Sequence, residues 1–323
     1  MTRFHKAIAL GAAAAAFMAF ALPAQAQSWP NQTVRIVIPF PPGGSTDLVS
    51  RMMAAHFQTA WKQSVIVENK PGGNGMLGPT YVVKSKPDGY TILLAAPSLA
   101  TAPATMKVLP IDPQKDLDAI SQAVESPYVV SVNTKVPVKT LQELIDYAKK
   151  NPDKLNYGSF AVGSRLTTER FARIAGVKMN HVGYRGEALM MAATASGEVD
   201  VGLATPVTMM EYHARGTIRI LAVTSDERLP ALKDVPTTKE AGLGEFDTTV
   251  WFGLFAPAGT PIEIRRKIAA EVAVWAKTAD AIKKLEGVGF RPKASTPEAL
   301  AKHLAAETQR SLEIGKAIGI EKM

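Results

Sequence analysis

A glycine pair, Gly43 and Gly44, stands where a buried strand turns directly into a helix. The apolar run Val34–Ile38 before it predicts a strand, and the stretch Leu48–Trp61 after it carries apolar side chains on one helical face. Such a turn presents free backbone N–H groups and the positive end of a helix dipole, and it lets a ligand approach the backbone closely. This geometry suits an anion. It does not indicate catalysis, because no base, nucleophile or set of metal ligands accompanies it.

The first 26 residues read as a cleavable export signal. Basic residues open the segment, an apolar run spans Ala7–Leu22, and residues 24–26 form the small-x-small cleavage site Ala-Gln-Ala. A transmembrane anchor is the weaker interpretation, because the run is shorter than the roughly 20 residues that a span needs. The chain contains no cysteine, which excludes a lipid-anchored cysteine and any disulfide framework. We therefore expect a soluble protein of the periplasm, exported by this signal peptide.

After the signal, short apolar strands alternate with longer helical stretches, which is typical of α/β layers around a mostly parallel sheet. About 297 residues remain, and this length allows two domains. The apolar fraction of 46% and the charged fraction of 20% are ordinary for a globular protein. The net charge of +8 is spread along the chain and forms no basic stripe, so we expect no binding to nucleic acid.

Residue patterns that would indicate an enzyme are missing from the sequence. An α/β hydrolase needs a Gly-x-Ser-x-Gly turn, and Ser45, Ser159 and Ser164 all fail that pattern. A zinc enzyme needs clustered His or Cys, whereas the histidines after the signal are scattered. The pair Met190 and Met191 falls on a helical face, where core packing is the ordinary explanation. We expect no metal, no cofactor and no enzymatic activity.

Eight short stretches carry a characteristic combination of residues in a fixed order. They are Trp29-Pro30, Pro42-Gly43-Gly44-Ser45-Thr46-Asp47, Val67-Glu68-Asn69-Lys70-Pro71-Gly72, Pro87-Asp88-Gly89-Tyr90, Leu155-Asn156-Tyr157-Gly158-Ser159, Gly183-Tyr184-Arg185-Gly186, Leu221-Ala222-Val223-Thr224-Ser225 and Trp251-Phe252-Gly253-Leu254-Phe255-Ala256-Pro257. With these stretches the chain resembles, over nearly all of its length after the signal, the periplasmic solute-binding proteins of tripartite tricarboxylate transporters, also called Bug proteins.

The resemblance implies an α/β fold of the type II-like, Venus-flytrap kind, in which the chain crosses twice between two lobes. Residues 28–127 and 252–323 would form one lobe, and residues 128–251 the other. The runs Val129–Val132 and Trp251–Leu254 are apolar enough to be the crossing strands, and hinge motion there would close the lobes over a ligand. The resemblance also implies, as partner, an inner-membrane permease with one large and one small integral subunit. We expect the binding protein to be a monomer.

In the first lobe, the glycine turn is the predicted anion site. Backbone N–H groups from Gly43 and Gly44, together with the hydroxyls of Ser45 and Thr46, would bind one carboxylate of a ligand. The two hydroxyls could instead only cap the helix. Capping and ligand binding are compatible, and we favour both.

Residues beside this turn have different predicted roles. Pro97 and Ser98 follow the predicted strand Tyr90–Ala96 and should flank the same cleft. Asp47 is better interpreted as structural, because a carboxylate that faces a carboxylate ligand would repel it.

A second glycine-containing turn, residues 158–164, leads from a strand into a helix in the second lobe, as the first turn does in the first lobe. Ser159, Gly163 and Ser164 are its candidate ligand contacts. The related proteins usually carry small polar residues here, whereas this chain has Phe160 followed by Ala and Val. Phe160 either gives an aromatic or hydrocarbon ligand a wall to pack against, or fills a gap between the lobe and the loop. Both interpretations stay open.

Arg185 stands immediately before a helix that begins near Glu187, where the helix dipole disfavours a cation. A second anion in the cleft would make that position favourable; alternatively, an exposed Arg185 pairs with Glu187 and contributes little. Thr205 follows a strand at a place where many related proteins carry an Asp-Asn pair suited to ammonium groups. The absence of that acid argues against an amino-acid ligand and for one with only negative charge.

The sequence therefore predicts a receptor that traps a small dicarboxylate between opposed helix N-termini and delivers it to the permease. Phe160 and the missing acid at residues 204–205 favour an aromatic dicarboxylate such as terephthalate. Citrate or an aliphatic dicarboxylate is the near alternative. A periplasmic hydrolase is the rival from another class, and it would show turnover in an ester or amide screen.

Overall fold

The computed structural model of the chain describes residues 29–244, 246 and 248–322. The predicted signal peptide, residues 1–26, lies outside the described residues. Residues 29–31 contain no helix or strand. Within the described part of the chain, we find no helix with the length and apolar character needed to cross a bilayer.

From residue 32 onward, the described residues form ten α-helices, two short 3-10 helices and eleven strands. The first part of the chain contains β1 (Val34–Ile38), α1 (Ser45–Trp61), β2 (Val65–Asn69), α2 (Leu77–Val83), β3 (Thr91–Ala95), α3 (Ser98–Thr105) and β4 (Leu117–Pro127). The middle part contains β5 (Val129–Asn133), α4 (Leu141–Lys150), β6 (Asn156–Ser159), α5 (Val162–Ala175), β7 (Asn180–Gly183), α6 (Glu187–Ser196), β8 (Val201–Ala204), α7 (Pro206–Ala214) and β9 (Ile218–Val223). The last part contains β10 (Thr249–Pro257), α8 (Ile262–Trp275), α9 (Ala279–Glu286), β11 (Arg291–Pro292) and α10 (Pro297–Ile318).

Six strands form the first sheet, in the order β11-β4-β10-β3-β1-β2. β1 pairs in parallel with β2 on one side and with β3 on the other. An inner strand of this kind is covered on both faces, which explains why β1 reads as an almost continuous apolar run. β10, which returns to this sheet from the other one, pairs antiparallel with β3 and β4. We call this sheet and its helices α1–α3 and α8–α10 the first lobe.

Five strands form the second sheet, in the order β7-β6-β8-β5-β9, with helices on both faces. Val130 and Val132 of β5 pack on one face, in the cluster that contains residues of α4 and α5. Val129 packs on the other face with Met190 and Met191 of α6, both fully buried. The predicted core role of this methionine pair is therefore confirmed. We call this sheet and helices α4–α7 the second lobe.

The two segments that connect the sheets lie side by side. The chain leaves the first sheet after β4, passes through Tyr128 and enters β5; it returns between β9 and β10. The backbone N–H of Tyr128 donates to Thr224 Oγ1 at 2.9 Å, and the N–H of Thr224 donates to the carbonyl of Tyr128 at 2.9 Å. The hydroxyl of Thr224 also donates to the carbonyl of Thr248 at 2.6 Å. β10 begins at Thr249, so residues 249–251, which the sequence analysis assigned to the second lobe, pair within the first sheet.

Candidate ligand-binding site

A cavity of about 180 Å³ lies between the two lobes, and both lobes contribute to its walls. The first lobe provides Phe40, Pro41, Pro42, Gly44, Ser45, Thr46, Ala96, Pro97, Ser98, Val250 and Phe252. The second lobe provides Phe160, Ala161, Gly163, Ser164, Gly186, Glu187, Ala188, Leu189 and Thr205. Tyr128, from the crossing segment, completes the lining.

Five helices begin at this cavity. α1 and α3 follow β1 and β3 of the first lobe, and α5, α6 and α7 follow β6, β7 and β8 of the second. The first turn of a helix has N–H groups without an intrahelical partner and carries the positive end of the helix dipole. The carboxyl ends of parallel strands, where these helices begin, are a general location for anionic ligands. The cavity lining thus presents N–H donors and positive helix ends, although no Lys, Arg or His occurs among the described residues that line it.

Glu187, the first residue of α6, is the one charged side chain among the described residues of this lining. It is buried, with 4% of its surface exposed. Its Oε2 accepts hydrogen bonds from the backbone N of Ser45 at 3.1 Å and from Ser45 Oγ at 2.5 Å. Its Oε1 accepts from the backbone N of Thr205 at 2.8 Å, from Thr205 Oγ1 at 2.6 Å and from Thr208 Oγ1 at 3.3 Å. One carboxylate thus joins the glycine turn of the first lobe to the start of α7 in the second.

This carboxylate takes one of the donors that the sequence predicted for a carboxylate of the ligand, the hydroxyl of Ser45. Both polar groups of Ser45 bind Glu187, and neither caps α1. A carboxylate accepts about four hydrogen bonds, and the N–H groups and hydroxyls of Ser45 and Thr205 already supply four to Glu187, so no lone pair is left for an ammonium group. Burial and, next, the negative charge of Glu187 raise the pKa of Tyr128 well above its ordinary range.

Two other hydroxyls of the lining, those of Thr46 and Ser98, have no hydrogen-bond partner among the described residues. Thr46 lies in the first turn of α1 and Ser98 is the first residue of α3, and each is 4% exposed. Neither hydroxyl forms a hydrogen bond with any residue that the structure describes. Their hydroxyl oxygens are not among the fully buried unpaired atoms of the described residues, so they remain accessible from the cavity. A ligand oxygen there could accept a hydrogen bond from each, and these hydroxyls are therefore candidate ligand contacts.

The turn between β6 and α5 uses its serine differently. Ser164 Oγ accepts from the backbone N of Phe160 at 3.0 Å and of Ala161 at 3.2 Å, and it donates to the carbonyl of Ala161 at 3.0 Å. The hydroxyl therefore stabilises its own turn. The first intrahelical bond of α5 runs from Arg165 N to the carbonyl of Ala161. The preceding N–H groups, on Gly163 and Ser164, have no partner within the helix.

Gly163 allows a helix of one lobe to approach a helix of the other. A Cβ at this position would lie 3.3 Å from the backbone N of Ser98 and 3.3 Å from Thr101 Oγ1, both in α3. These distances are tighter than most Cβ contacts, so the glycine lets the N-termini of α3 and α5 lie a few tenths of an ångström closer than another residue would.

Aromatic rings form an apolar wall of the cavity. The rings of Phe40 and Phe160 lie 6.4 Å apart, at an angle of 73°, in an edge-to-face arrangement. Phe160 also packs against the cluster around Met190 in the second lobe. The two interpretations of Phe160 are therefore compatible, because its ring fills space inside the lobe and faces the cavity.

The structure brings most of the predicted site residues to this cavity. Those in its lining are Gly44, Ser45, Thr46, Pro97, Ser98, Phe160, Gly163, Ser164 and Thr205. Those outside its lining are Gly43, Ser159 and Arg185.

Each of the three residues outside the lining has another environment. Gly43 adopts a φ of 88°, which favours glycine, and its N–H donates to Asp47 Oδ2 at 3.2 Å. Arg185 is exposed to solvent. The alternative in which it pairs with Glu187 at the surface is wrong, because Glu187 is buried and binds Ser45.

Ser159 Oγ lies 2.7 Å from Nε2 of His181, a distance that also occurs between a catalytic serine and its base. Ser159 is buried, however, and does not face the cavity. Among the described residues, no carboxylate binds the other ring nitrogen of His181. Burial and, to a smaller extent, the charge of Arg165 lower the pKa of His181. The pair joins the neighbouring strands β6 and β7 and provides no catalytic triad.

Asp47 has the structural role expected for it. Its carboxylate accepts from Arg51 Nη2 at 2.9 Å, from Arg51 Nε at 3.0 Å and from Asn69 Nδ2 at 3.1 Å. Burial alone would raise the pKa of Asp47, but these hydrogen bonds and the one from Gly43 hold the pKa below its usual value. Among the described residues, no group of three or more His, Cys, Asp or Glu side chains could hold a metal ion.

Glu187 is the site residue that the sequence analysis missed. It is the first residue of the helix after β7, so it lies at the same edge of the sheet as the other helix starts. That position was a usable signal. The expected lack of a carboxylate beside Thr205 is corrected as well, because Glu187 binds the N–H and the hydroxyl of Thr205.

Known proteins resemble this chain over most of its length. Residues 49–320 match the family model described as the tripartite tricarboxylate transporter family receptor. A UPF0065 protein of Cupriavidus necator, from the gbd 5' region, is 38% identical, over 80% of this chain and 80% of that protein. Protein BugT of Bordetella pertussis is 31% identical, over 96% of this chain and 95% of that protein.

Solved structures share the fold. Rpa4515 of R. palustris with adipate has a TM-score of 0.88 at 32% identity, over 91% of this chain and 100% of that one. The periplasmic binding protein BugD has a TM-score of 0.86 at 30% identity, over the same fractions. MatC of Rhodopseudomonas palustris with bound malate has a TM-score of 0.83 at 29% identity, over 89% and 100%. The fold is thus the expected two-lobed α/β fold of periplasmic binding proteins, and the chain belongs to the receptor family of the tripartite tricarboxylate transporters, which includes the Bug proteins.

Proposed function

We propose that this protein is a periplasmic receptor that captures a small carboxylate with an apolar body and delivers it to a tripartite tricarboxylate-type permease of the inner membrane. The observation that carries the proposal is the convergence of five helix N-termini on one cavity between the lobes. The unpartnered hydroxyls of Thr46 and Ser98 add donors at the same place. Such a lining stabilises a carboxylate by N–H groups, hydroxyls and dipoles.

The finer proposal concerns the ligand, for which the sequence favours an aromatic dicarboxylate such as terephthalate. The ring pair Phe40 and Phe160 supports an aromatic body. The cavity of about 180 Å³ compares with an apolar cavity of roughly 150 Å³ that binds benzene. Citrate and aliphatic dicarboxylates are the alternative, and the relatives solved with adipate and malate support them.

As a receptor, the protein would act as a monomer and would catalyse no reaction. Export to the periplasm is supported by the signal pattern in residues 1–26 and by the periplasmic relative BugD. The lobes would close over the ligand about the paired crossing segments, and the closed form would be the one that the permease recognises. Arg185, exposed outside the cavity, would attract anions at most over a distance, so Arg185→Ala should weaken binding less than twofold.

A thermal-shift screen of the protein without its signal peptide tests this function. Mono-, di- and tricarboxylates, both aromatic and aliphatic, are compared with amino acids. A ligand that binds only the folded state raises the melting temperature. We expect carboxylates with an apolar body to raise it and amino acids to leave it unchanged. No shift with any carboxylate would contradict the proposed function, and turnover of esters or amides would favour the hydrolase instead.

A further inference from the structure

The buried carboxylate of Glu187 changes the number of charges that the cavity accepts. Both of its oxygens are bound by donors at helix starts: Ser45 in the first lobe, and Thr205 with Thr208 in the second. These are backbone N–H and hydroxyl donors, the kind of partners that a ligand carboxylate uses. The protein therefore already contains one carboxylate in an anion-binding position between its lobes.

No cation of the lining balances a second or third negative charge. The described residues around the cavity include no Lys, Arg or His, and Arg185, the predicted cation, is exposed outside it. Like charges at short distance in a buried site repel each other strongly. A ligand carboxylate beside Glu187 would meet this repulsion, and it would find the donors of Ser45 and Thr205 already occupied.

Another part of the same cavity still offers donors to one carboxylate. Thr46 and Ser98 are buried residues, but their hydroxyls have no partner among the described residues and remain accessible from the cavity. The N–H groups of Gly163 and Ser164 precede the first intrahelical bond of α5 and stand next to the start of α3. These groups suffice for a single carboxylate, and the remaining walls around Phe40 and Phe160 suit its apolar body.

From this arrangement we infer that Glu187 acts as a built-in carboxylate, so that the receptor prefers a ligand with one carboxylate over the matching dicarboxylate. The inference rests on the proposed function and revises one part of it, the charge of the ligand. Glu187 is thereby a residue that determines specificity.

Calorimetric titration with two matched pairs of ligands tests the inference. Benzoate is compared with terephthalate, and hexanoate with adipate, on the protein without its signal peptide. For the native protein we expect the monocarboxylate of each pair to bind at least tenfold more tightly. In Glu187→Ala the donors of Ser45 and Thr205 become free, so the dicarboxylate should gain at least tenfold while the monocarboxylate changes less than threefold.

Two further variants make the result interpretable. Glu187→Gln keeps the volume of the side chain without its charge, and we expect it to reduce the native preference at least threefold even where Glu187→Ala folds poorly. Glu263→Ala removes an exposed acid from the first turn of another helix, α8, and should behave as the native protein.

Two results would overturn the inference alone. One is a native protein that binds the dicarboxylates at least as tightly as the monocarboxylates, and the other is a ratio that neither Glu187 variant changes. Both results leave the receptor function intact. The absence of binding for all four acids in every variant would instead contradict the proposed function and the inference together.

Discussion

The two turns that lead into α1 and α5 follow one backbone plan but use their side chains in opposite ways. In the first turn, Ser45 directs its hydroxyl across the interface between the lobes to Glu187. In the second turn, the hydroxyl of Ser164 returns to the backbone of residues 160 and 161. The first turn therefore contributes side-chain donors to the site, whereas the second contributes free N–H groups and the ring of Phe160. A shared sequence pattern predicts the backbone of such a turn better than the partners of its hydroxyls.

The largest expected loss of affinity comes from a side chain that fills the space between the second turn and α3. Gly163→Val places a side chain where even a Cβ lies 3.3 Å from Ser98 N and Thr101 Oγ1. Overpacking costs about 1–3 kcal/mol, which corresponds to roughly a 10- to 100-fold loss of affinity when it opposes closure. Calorimetry with the carboxylate found in the screen measures this loss.

The control for this variant is the same substitution at another glycine of the second lobe. At Gly183 a Cβ would meet nothing closer than 3.7 Å, from the ring of His181. Gly183→Val should therefore bind as the native protein does. Equal affinities for the two variants would show that the approach of α3 and α5 does not matter for binding.

The next expected effects distinguish the hydroxyl of Thr46, which we expect to matter for affinity, from the hydroxyl of Ser164, which we expect to matter for stability. Thr46→Val removes a hydroxyl without a described partner, so we expect unchanged thermal stability and about tenfold weaker binding, since a hydrogen bond to a charged group contributes roughly 1.5–3 kcal/mol. Ser164→Ala should do the reverse, with a loss of about 1 kcal/mol of stability, as for other helix caps, and a smaller change in affinity.

Differential scanning calorimetry and titration on both variants check this contrast. Thr59→Val, an exposed position of the same helix α1, serves as control and should change neither property. If Thr46→Val lowers stability and Ser164→Ala abolishes binding, the roles that we assign to the two turns are exchanged.

A smaller effect concerns the aromatic wall of the second turn. Phe160→Ala should weaken a ring-containing carboxylate about tenfold, because aromatic contacts contribute roughly 0.5–1.5 kcal/mol beyond the area that they bury. An aliphatic carboxylate should lose less than about threefold. Phe160→Leu keeps the apolar volume without the ring and separates the two contributions. Equal losses for both ligands in both variants would reduce Phe160 to a packing residue.

The smallest effect is a dependence of stability on pH that only the first turn should show. The pKa of Asp47 lies below its ordinary value of 3.8, so the stability from its charged form is complete above that value and disappears as the pH falls further. Asp47→Asn should be less stable than the native protein at pH 6, by about 2 kcal/mol, and the difference should be smaller at pH 3. Melting temperatures at both pH values test this.

Another aspartate supplies the control for Asp47. Asp280 forms a similar pair with Lys284 four residues later, at 2.8 Å, but on an exposed helix surface where ion pairs contribute little. Asp280→Asn should therefore show almost no difference at either pH. A constant cost of Asp47→Asn from pH 6 to pH 3 would contradict the role that we assign to its charge.

Much of the fold could be predicted from the period of the apolar residues. β1 has the bounds that the sequence indicated, and β5 and α6 begin at the predicted residues, Val129 and Glu187, because apolar runs and helical patterns are clear local signals. The eleven-residue strand β4 was not predicted, since its sequence mixes acids, serines and a glutamine with apolar residues. Its pairing with β10 over nearly its full length holds it as a strand. Such long-range pairing leaves little trace in the local sequence.

The backbone turns of the site could be predicted from the sequence, but the hydrogen-bond partners of its side chains could not. Glycine turns and the resemblance located nine of the twelve expected residues in the cavity lining. Glu187 was missed because a lone acid at a helix start usually interacts with its own helix and with water. Only the packing of two lobes places Ser45 and Thr205 around it from opposite sides. A partner that arrives from 142 positions away along the chain cannot be deduced from the spacing of residues.

The paired crossing segments have a mechanical consequence. Since Thr224 binds both Tyr128 and Thr248, the two connections between the lobes form one narrow strip. Two lobes that are joined through one such strip rotate relative to each other about a single hinge axis. We expect ligands of different shape to stop this rotation at different angles between the lobes, without a change in the direction of the hinge axis. A membrane partner would then need to sense only one quantity, the angle between the two lobes, whichever acid is bound between them.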